Sequence, residues 1–147
     1  MSFIFRELKE EDLSNGFFET LSNLSEVGKI SNKTDLAKEI LKKICKDRNY
    51  RIVIAEDKKN HQIVGSATLL IEQKFIHSGG KAGHIEDVVT RKGYEGKGIG
   101  KEIMKELIKI AKENGCYKII LDCDEKVINF YEKIGFRKHS VMMRIDT

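Results

Sequence analysis

The chain has 147 residues, of which 40% are hydrophobic and 34% charged, and a formal net charge of +4. This length predicts a single domain over residues 1–147, and no apolar run approaches the ~20 residues of a membrane span. Lys and Arg are mixed with Asp and Glu, which argues against nucleic-acid binding. Three cysteines without zinc-type spacing favour free thiols in a reducing, cytoplasmic compartment.

The first half of the chain predicts two amphipathic helices and a β-hairpin. Residues 12–24 follow a short first strand and form a helix, because apolar side chains recur every three or four residues. A second helix begins near Asn32 or Thr34, either of which can cap its N-terminus. Polar residues 57–60 then join two strand-like runs, a pattern typical of a hairpin. The predicted strands are 3–5, 51–56 and 62–72, and a Gly-rich loop follows at 77–81.

The second half predicts a strand, a helix and a second strand. An apolar strand at 83–89 runs through a glycine-rich turn into a helix at 99–114, which Asn114 and Gly115 end. Such a crossover joins parallel strands, whereas the earlier hairpin is antiparallel, so the predicted sheet is mixed. The remaining elements are a strand at 118–123, a short helix at 126–134 and a last strand at 136–145.

The glycine-rich turn is the most informative motif. Glycine recurs at every second position from 96 to 100, and Lys97 and Lys101 add positive charge. Backbone N–H groups at a glycine turn that opens into a helix suit a phosphate or diphosphate, so we expect a phosphorylated cofactor. A plain glycine turn is the alternative. A Walker phosphate loop fits poorly, because Glu102 follows Lys101 where a magnesium-binding Ser or Thr is needed.

Two adjacent carboxylates, Glu86 and Asp87, lie near the end of the central strand. Neighbouring side chains on a strand point to opposite faces, so both can address one reacting atom only if the strand is bulged. Carboxylates exposed at a strand end, without a chemical role, are the alternative. A backbone N–H from Val88 is also a candidate donor for a developing oxyanion.

Three single residues allow both a chemical and a structural interpretation. Phe130 and Ile134, four residues apart, predict the inward face of the short helix, which would turn Tyr131 outward. Tyr131 is then either a surface side chain or a proton donor. His84 is predicted as a hydrogen-bonded structural residue, and Cys123 as inert packing rather than a carrier of an acyl group.

Three blocks carry a family resemblance: GHIEDVV at 83–89, GYEGKGIGK at 93–101, and GCYKIILDCDEK at 115–126 followed by FYEKIGF at 130–136. They resemble the GNAT superfamily of N-acetyltransferases, and within it the glucosamine 6-phosphate N-acetyltransferases. The resemblance implies an α/β (α+β) GNAT fold, with a mixed, mostly antiparallel sheet, a splayed parallel strand pair and helices on both faces.

The resemblance also implies a reaction. An acetyl group passes directly from acetyl-CoA to the amine of D-glucosamine 6-phosphate, a step toward UDP-N-acetylglucosamine, in a homodimer that needs no metal. Acetyl transfer to another amine, such as a polyamine, an antibiotic or a protein lysine, is one alternative. A non-catalytic acyl-CoA-binding module is the other.

The site residues that the resemblance implies fall into three sets. The acetyl-CoA set is Val88, Val89, Thr90, Gly96, Lys97, Gly98, Ile99, Gly100, Lys101, Tyr131, Glu132 and Lys133. The sugar-phosphate set is Ser25, Lys74, Phe75, Ile76, His77, Glu86, Asp87, Val88, Tyr117, Lys118, Asp122 and Arg144. The catalytic set is Tyr131, Asp122, Glu86 and Asp87. Tyr131 lies beside the thioester sulfur, and the base is Asp122, the Glu86 region or a water.

The chain departs from the family pattern at four positions, the first being Ser25, where the family more often has Thr. Glu95 stands where the family has Gln or Arg, and Val127 stands where it often has Asn. Family members also place an arginine on the sugar phosphate at a position occupied here by Asp146. Arg144, two residues earlier on the same predicted strand face, is expected to replace it.

Overall fold

A computed structural model describes residues 2–147. Its centre is a five-stranded sheet in the spatial order β1-β2-β3-β4-β5. The strands are β1 (Phe3–Glu7), β2 (Tyr50–Asp57), β3 (Ile63–Gln73), β4 (Lys81–Thr90) and β5 (Cys116–Ile120). Neighbours from β1 to β4 are antiparallel, and β4 and β5 are parallel. The mixed, mostly antiparallel sheet is therefore confirmed.

Helices connect the strands. They are α1 (Phe17–Leu21), α2 (Thr34–Lys46), α3 (Ile76–Gly79), α4 (Ile99–Glu113) and α5 (Ile128–Ile134). Short 3₁₀ helices lie at Glu10–Ser14, Gly28–Asn32 and Glu125–Val127. α3 is only a tight turn between β3 and β4, because His77 and Ser78 have left-handed backbone angles. Within residues 2–147, no helix combines the length and the apolar character needed to cross a membrane.

Helices cover both faces of the sheet, as expected. Alternation along β2 places Val53 in a cluster with Ile103 of α4, and places Ile54 in a second cluster with Phe17 of α1. The α4 side holds the larger cluster, which also includes Tyr131 of α5. The helix that follows the glycine turn is therefore anchored directly on the strands that flank the predicted site.

The predicted helix at 12–24 is wrong in its continuity. The structure has the 3₁₀ helix Glu10–Ser14 and then α1, separated at Gly16, which has a φ of 87°. A Cβ at this glycine would lie 2.5 Å from Oε1 of Gln62 and 2.7 Å from a guanidinium nitrogen of Arg91. Close packing of the chain against these two side chains interrupts the helix that the apolar spacing predicts.

The predicted last strand at 136–145 does not form, since residues 136–147 have no regular structure. The apolar pattern that predicted it remains visible as exposed side chains, namely Val141, Met142, Met143 and Ile145. A strand needs a partner for its backbone groups, and within residues 2–147 this segment pairs with no edge of the sheet.

β4 and β5 part half-way along β4. Their pairing runs from Lys81 opposite Cys116 to His84 opposite Ile120. Beyond that point β4 is paired only with β3, up to Thr90 opposite Gly65. The two strands therefore form a V-shaped cleft, which confirms the splayed parallel pair.

Candidate active site

A β-bulge in β4 lies at the mouth of this cleft. Two residues of β4, Asp87 and Val88, stand opposite the single residue Ala67 of β3. Asp87 has a φ of 52°, a left-handed value that few residues other than glycine adopt. The bulge breaks the alternation that would separate Glu86 from Asp87, and both side chains are exposed. This is the arrangement in which both carboxylates can serve one site.

Glu86 belongs to a cluster of negative charge. Partial burial raises the pKa of the Glu86 carboxyl, and the charges of Asp122 and Asp87 raise it further, against a smaller opposite effect of His84. Asp122 follows β5, so the cluster includes groups from both sides of the cleft. A carboxylate with a raised pKa holds a proton more readily, which is what a general base requires.

Tyr131 is the most buried residue of α5, with 9% of its surface exposed, so the prediction that it turns away from the core is wrong. Its ring meets those of Phe130 and Phe136 edge-on, with centroids 4.9 and 6.0 Å away. Burial, followed by the neighbouring Cys123 and Asp122, raises the pKa of Tyr131 to about 12. No buried side-chain polar atom of residues 2–147 lacks a hydrogen-bond partner. The Tyr131 hydroxyl, which has none among these residues, is therefore not fully buried.

The glycine loop, residues 91–98, leads from β4 into α4. Gly96 and Gly98 have φ values of 76° and 80°, and a Cβ at either would meet no atom within 4 Å. The N–H groups of residues 96–98 have no partner in the described chain, and those of 99–101 begin α4, where the helix supplies no acceptor. We call the N–H groups of residues 96–101 the amide cradle. Together with the dipole of α4, it suits an anion such as a diphosphate.

Glu95 is fastened to the loop that contains it. Its carboxylate accepts the N–H of Gly93 at 2.7 Å, and Nδ2 of Asn23 lies 3.4 Å away. The N–H groups of Glu95 itself and of Gly93 lower the pKa of this carboxyl. Asn23 also donates to the carbonyl of Thr90 at 2.7 Å. One of the predicted cofactor-binding backbone groups is therefore already engaged.

A groove of about 530 Å³ continues from the amide cradle between α4 and α5. Lys101 belongs to both features. The only acidic residue lining the groove is Glu113, and its cationic residues are Lys101, Lys105, Lys109, Lys112 and Lys133. This arrangement gives the groove a positive potential, which favours a polyanionic ligand that begins in the cradle.

A second group of predicted residues lies at the opposite end of β5. The rings of His77 and Tyr117 are stacked with centroids 4.0 Å apart, and Nζ of Lys118 is 5.7 Å from the Tyr117 centroid. We call His77, Tyr117 and Lys118, with the adjoining turn at residues 74–76, the β5-start group. In an extended chain Tyr117 and Asp122 are ~16 Å apart. This group and the carboxylates therefore lie toward opposite ends of the β5 segment.

In the adjoining turn, one side chain is paired and two are exposed. Nζ of Lys74 lies 3.1 Å from Glu72, and Phe75 and Ile76 are exposed. The predicted structural role of His84 agrees with its Nε2, which lies 2.8 Å from Oε1 of Glu72.

Three further predicted residues are Ser25, Arg144 and Cys123, and their surroundings show where they lie. Asn23 precedes Ser25 by two positions and binds Thr90, so Ser25 lies near the far end of β4. Arg144 forms an ion pair with Asp146 at 2.6 Å. Cys123 is exposed, so its prediction as packing is wrong. Burial and the charges of Asp122 and Asp124 raise the pKa of its thiol, which favours the less reactive protonated form.

Sequence reasoning missed the residues that hold the glycine loop. Tyr94 donates its hydroxyl to Asp57 at 2.9 Å, across 37 positions of sequence, and Asn23 reaches Thr90 across 67. No spacing rule links such distant residues. The one available signal was an aromatic residue within a glycine loop. In the part of the chain that the structure describes, no three His, Cys, Asp or Glu side chains are arranged to hold a metal.

Comparison with known proteins decides the family. The profile of the Acetyltransferase (GNAT) family matches residues 15–136. This chain belongs to the GNAT acetyltransferase family. Members of this family take the acetyl group from acetyl-CoA.

Individual relatives extend the match to almost the whole chain. A glucosamine 6-phosphate N-acetyltransferase of Trypanosoma brucei brucei is 43% identical over 145 residues, which are 96% of this chain and 93% of the relative. A probable glucosamine 6-phosphate N-acetyltransferase of Drosophila melanogaster is 40% identical over 89% of this chain, which spans 59% of that protein. The crystal structure of glucosamine-6-phosphate N-acetyltransferase from Arabidopsis thaliana superimposes with a TM-score of 0.91 at 34% identity, covering 99% of both chains.

The charge cluster predicts how Glu86 titrates. We expect an NMR titration of the Glu86 side-chain carboxyl to give a pKa above that of an ordinary glutamate. In Asp122→Asn the pKa of Glu86 should fall toward the ordinary value, because one repelling charge is gone. Asp124→Asn is the matched control and should leave the pKa of Glu86 unchanged. An unchanged value in Asp122→Asn would contradict the proximity of the two carboxyls.

Proposed function

We propose that this chain transfers the acetyl group of acetyl-CoA to the amine of D-glucosamine 6-phosphate, giving N-acetylglucosamine 6-phosphate and CoA. The observation that carries the proposal is the 43% identity to a glucosamine 6-phosphate N-acetyltransferase over 96% of this chain and 93% of that enzyme. Because the match is almost end to end, it includes the carboxylates of β4, the glycine loop and Tyr131.

The residues present fit acetyl-CoA. The amide cradle offers unpartnered N–H groups beside glycines whose surroundings are open, as a bound diphosphate requires. Lys101 and Lys133 line the adjoining groove and would add charge-assisted contacts to phosphate oxygens. The unpaired edge of β4 beyond Ile85 would receive the pantetheine arm. When bound, acetyl-CoA supplies an acetyl thioester, which an amine can attack.

The carboxylate cluster would hold and deprotonate the amino group. An ammonium ion entering the cleft meets Glu86, Asp87 and Asp122, whose charges favour its binding. The nucleophile is the neutral amine, so one group must take its proton. We assign this role to Glu86, because its raised pKa makes it a better proton acceptor than an ordinary carboxylate. Fixing both reactants in one cleft removes much of the entropic barrier.

Tyr131 would stabilise the departing sulfur as a hydrogen-bond donor. Its pKa of about 12 keeps the hydroxyl protonated throughout the neutral range. A cysteine thiol has a pKa of about 8.5, well below that of this phenol, so proton transfer from Tyr131 to a thiolate of that kind is unfavourable. A hydrogen bond from the hydroxyl to the developing thiolate remains favourable. The hydroxyl is free for it, because it has no partner among residues 2–147.

We infer that two copies associate to complete the site. Tyr117 of the β5-start group and Asp122 of the carboxylate cluster are up to ~16 Å apart in an extended chain, which is longer than one hexose phosphate. A second copy can bring its β5-start group, with Lys118 and His77 for the phosphate, to the carboxylates of the first. The outer edge of β5 is unpaired in the sheet, and the C-terminal segment exposes Val141, Met143 and Ile145 at 87% or more. Pairing between copies would satisfy that edge and cover these side chains.

A substrate panel tests the proposed function. CoA thiol release is measured with acetyl-CoA and glucosamine 6-phosphate, glucosamine, a polyamine or a lysine peptide as acceptor. We expect kcat/KM for the sugar phosphate to exceed that for glucosamine by about a hundredfold, since two charge-assisted hydrogen bonds to phosphate suffice for that ratio. Equal rates with and without the phosphate would reject the substrate. CoA binding without release for every acceptor would indicate a binding module.

Replacing Tyr131 with Phe tests the donor role. The variant keeps the edge-on contacts with Phe130 and Phe136 and removes only the hydroxyl. We expect kcat to fall about a hundredfold, in the range for loss of one donor to a developing charge. Affinity for CoA, measured by calorimetry, should stay within about twofold, because the bond forms only as the sulfur departs. Unchanged turnover would contradict the role.

Subunit complementation tests the shared site. Glu86→Gln and Lys118→Ala should each abolish most activity as homodimers. If one site draws on both copies, a refolded equal mixture should regain about a quarter of wild-type activity, since half the dimers are mixed and each has one intact site. A mixture as inactive as its components would show that sites are not shared.

Sedimentation of Met143→Glu should show a monomer if the C-terminal segment joins the copies.

A further inference from the structure

Tyr94 lies at the point where the glycine loop touches the rest of the molecule. Its hydroxyl donates to Oδ2 of Asp57 at 2.9 Å. The acceptor is itself fixed, since Asp57 is 7% exposed at the end of β2 and its Oδ1 accepts the N–H of Lys59 at 2.9 Å. The loop is thereby tied to the turn between β2 and β3.

The Tyr94 ring is held by its own contacts. It meets Phe3 of β1 edge-on, with centroids 6.3 Å apart, and Nζ of Lys97 lies 5.8 Å from its centroid. Asn60 Nδ2 is 3.5 Å from its hydroxyl oxygen. One side chain thus connects β1 and the turn between β2 and β3 to a position two residues before the amide cradle.

The other restraints on the loop next to the cradle are the bonds of Glu95 to Gly93 and Asn23, and they too lie before the cradle. Gly93, Gly96 and Gly98 all have positive φ values and can adopt many conformations when unrestrained. The cradle N–H groups form no hydrogen bonds within residues 2–147 that would fix their direction. Their orientation before a ligand arrives must therefore be set from outside the cradle.

We propose that Tyr94 is a positioning residue, whose hydrogen bond to Asp57 holds the amide cradle in the conformation that binds the diphosphate of CoA. Tyr94 itself does not touch the reacting atoms. This inference rests on the proposed function for the identity of the ligand. It adds a structural cause for the affinity for CoA. The apparent affinity equals the intrinsic affinity multiplied by the fraction of protein whose loop is correctly placed.

The test measures CoA affinity by calorimetry and steady-state kinetics in Tyr94→Phe. This variant keeps the ring contacts with Phe3 and Lys97. If the correctly placed fraction falls to about a tenth, both the Kd for CoA and the KM for acetyl-CoA should rise about tenfold. The kcat and the KM for the amino sugar should change by less than about twofold, because the loaded site is unaltered. A general loss of folding would not give this split.

Variants of the acceptor complete the test. Asp57→Ala should raise the Kd for CoA as much as Tyr94→Phe, and the double variant should raise it little further, because both remove one bond. Asp57→Asn keeps one amide oxygen for the two donors, the Tyr94 hydroxyl and the Lys59 N–H, and should recover the affinity only in part. Asp47→Ala is the matched control: Asp47 accepts the N–H of Asn49 at 2.9 Å in a similar turn, and its loss should leave the Kd unchanged.

The outcomes separate the two proposals. Wild-type affinity for CoA in both Tyr94→Phe and Asp57→Ala would overturn the positioning role, whatever the acceptor substrate. Additive effects of the two single variants would also overturn it. A wild-type chain that binds CoA but acetylates no amino sugar would instead reject the proposed function, and the affinity measurements on Tyr94 would still decide the inference. Because the bond is removed from either side, the failure of one variant to fold leaves the test in place.

Discussion

The parting of β4 from β5 is the constraint on which the candidate site depends. The two strands pair only from Lys81 to His84 on the β4 side, and β4 then continues with one edge unpaired. Unpaired backbone in a sheet is costly unless a ligand or water satisfies it. The unpaired stretch of β4 lies close to the start of α4, to the Tyr131 hydroxyl and to the pair Glu86 and Asp122. The binding groups thus surround the gap between β4 and β5, where β4 pairs with β3 only.

The same region holds further unfavourable features. Asp87 adopts a left-handed φ, partial burial and the charges of Asp122 and Asp87 raise the pKa of Glu86, and the cradle N–H groups lack partners within residues 2–147. The buried side-chain polar atoms of residues 2–147, by contrast, all have a partner. A strained residue, repelling carboxylates and unpartnered N–H groups in one region are typical of a site whose ligand supplies the missing interactions.

An element or site residue could be predicted from the sequence where neighbouring residues determine its structure, and not where distant contacts do. The stripe of Ile99, Ile103 and Leu107 predicts α4, because helical period and burial agree there. The predicted last strand does not form because it has no partner strand within residues 2–147, and Gly16 interrupts a predicted helix through contacts with distant side chains. Tyr131 was misplaced because α5 has only seven residues, too few for spacing to identify its buried face. The bulge that unites Glu86 and Asp87 leaves no trace in the alternation of residue types.

Glu95 shows how a departure from a family pattern can introduce a negative charge and still serve the structure. Read from the sequence, a carboxylate where the family has Gln or Arg would repel a diphosphate. The structure gives that charge local partners, because Glu95 accepts the N–H of Gly93 and its own N–H, which lower the pKa of the carboxyl. These bonds close the turn just before the cradle, while Asn23 joins the same carboxylate to the carbonyl of Thr90. The charge is therefore compensated within the turn, and the backbone N–H groups that follow are left to face the ligand.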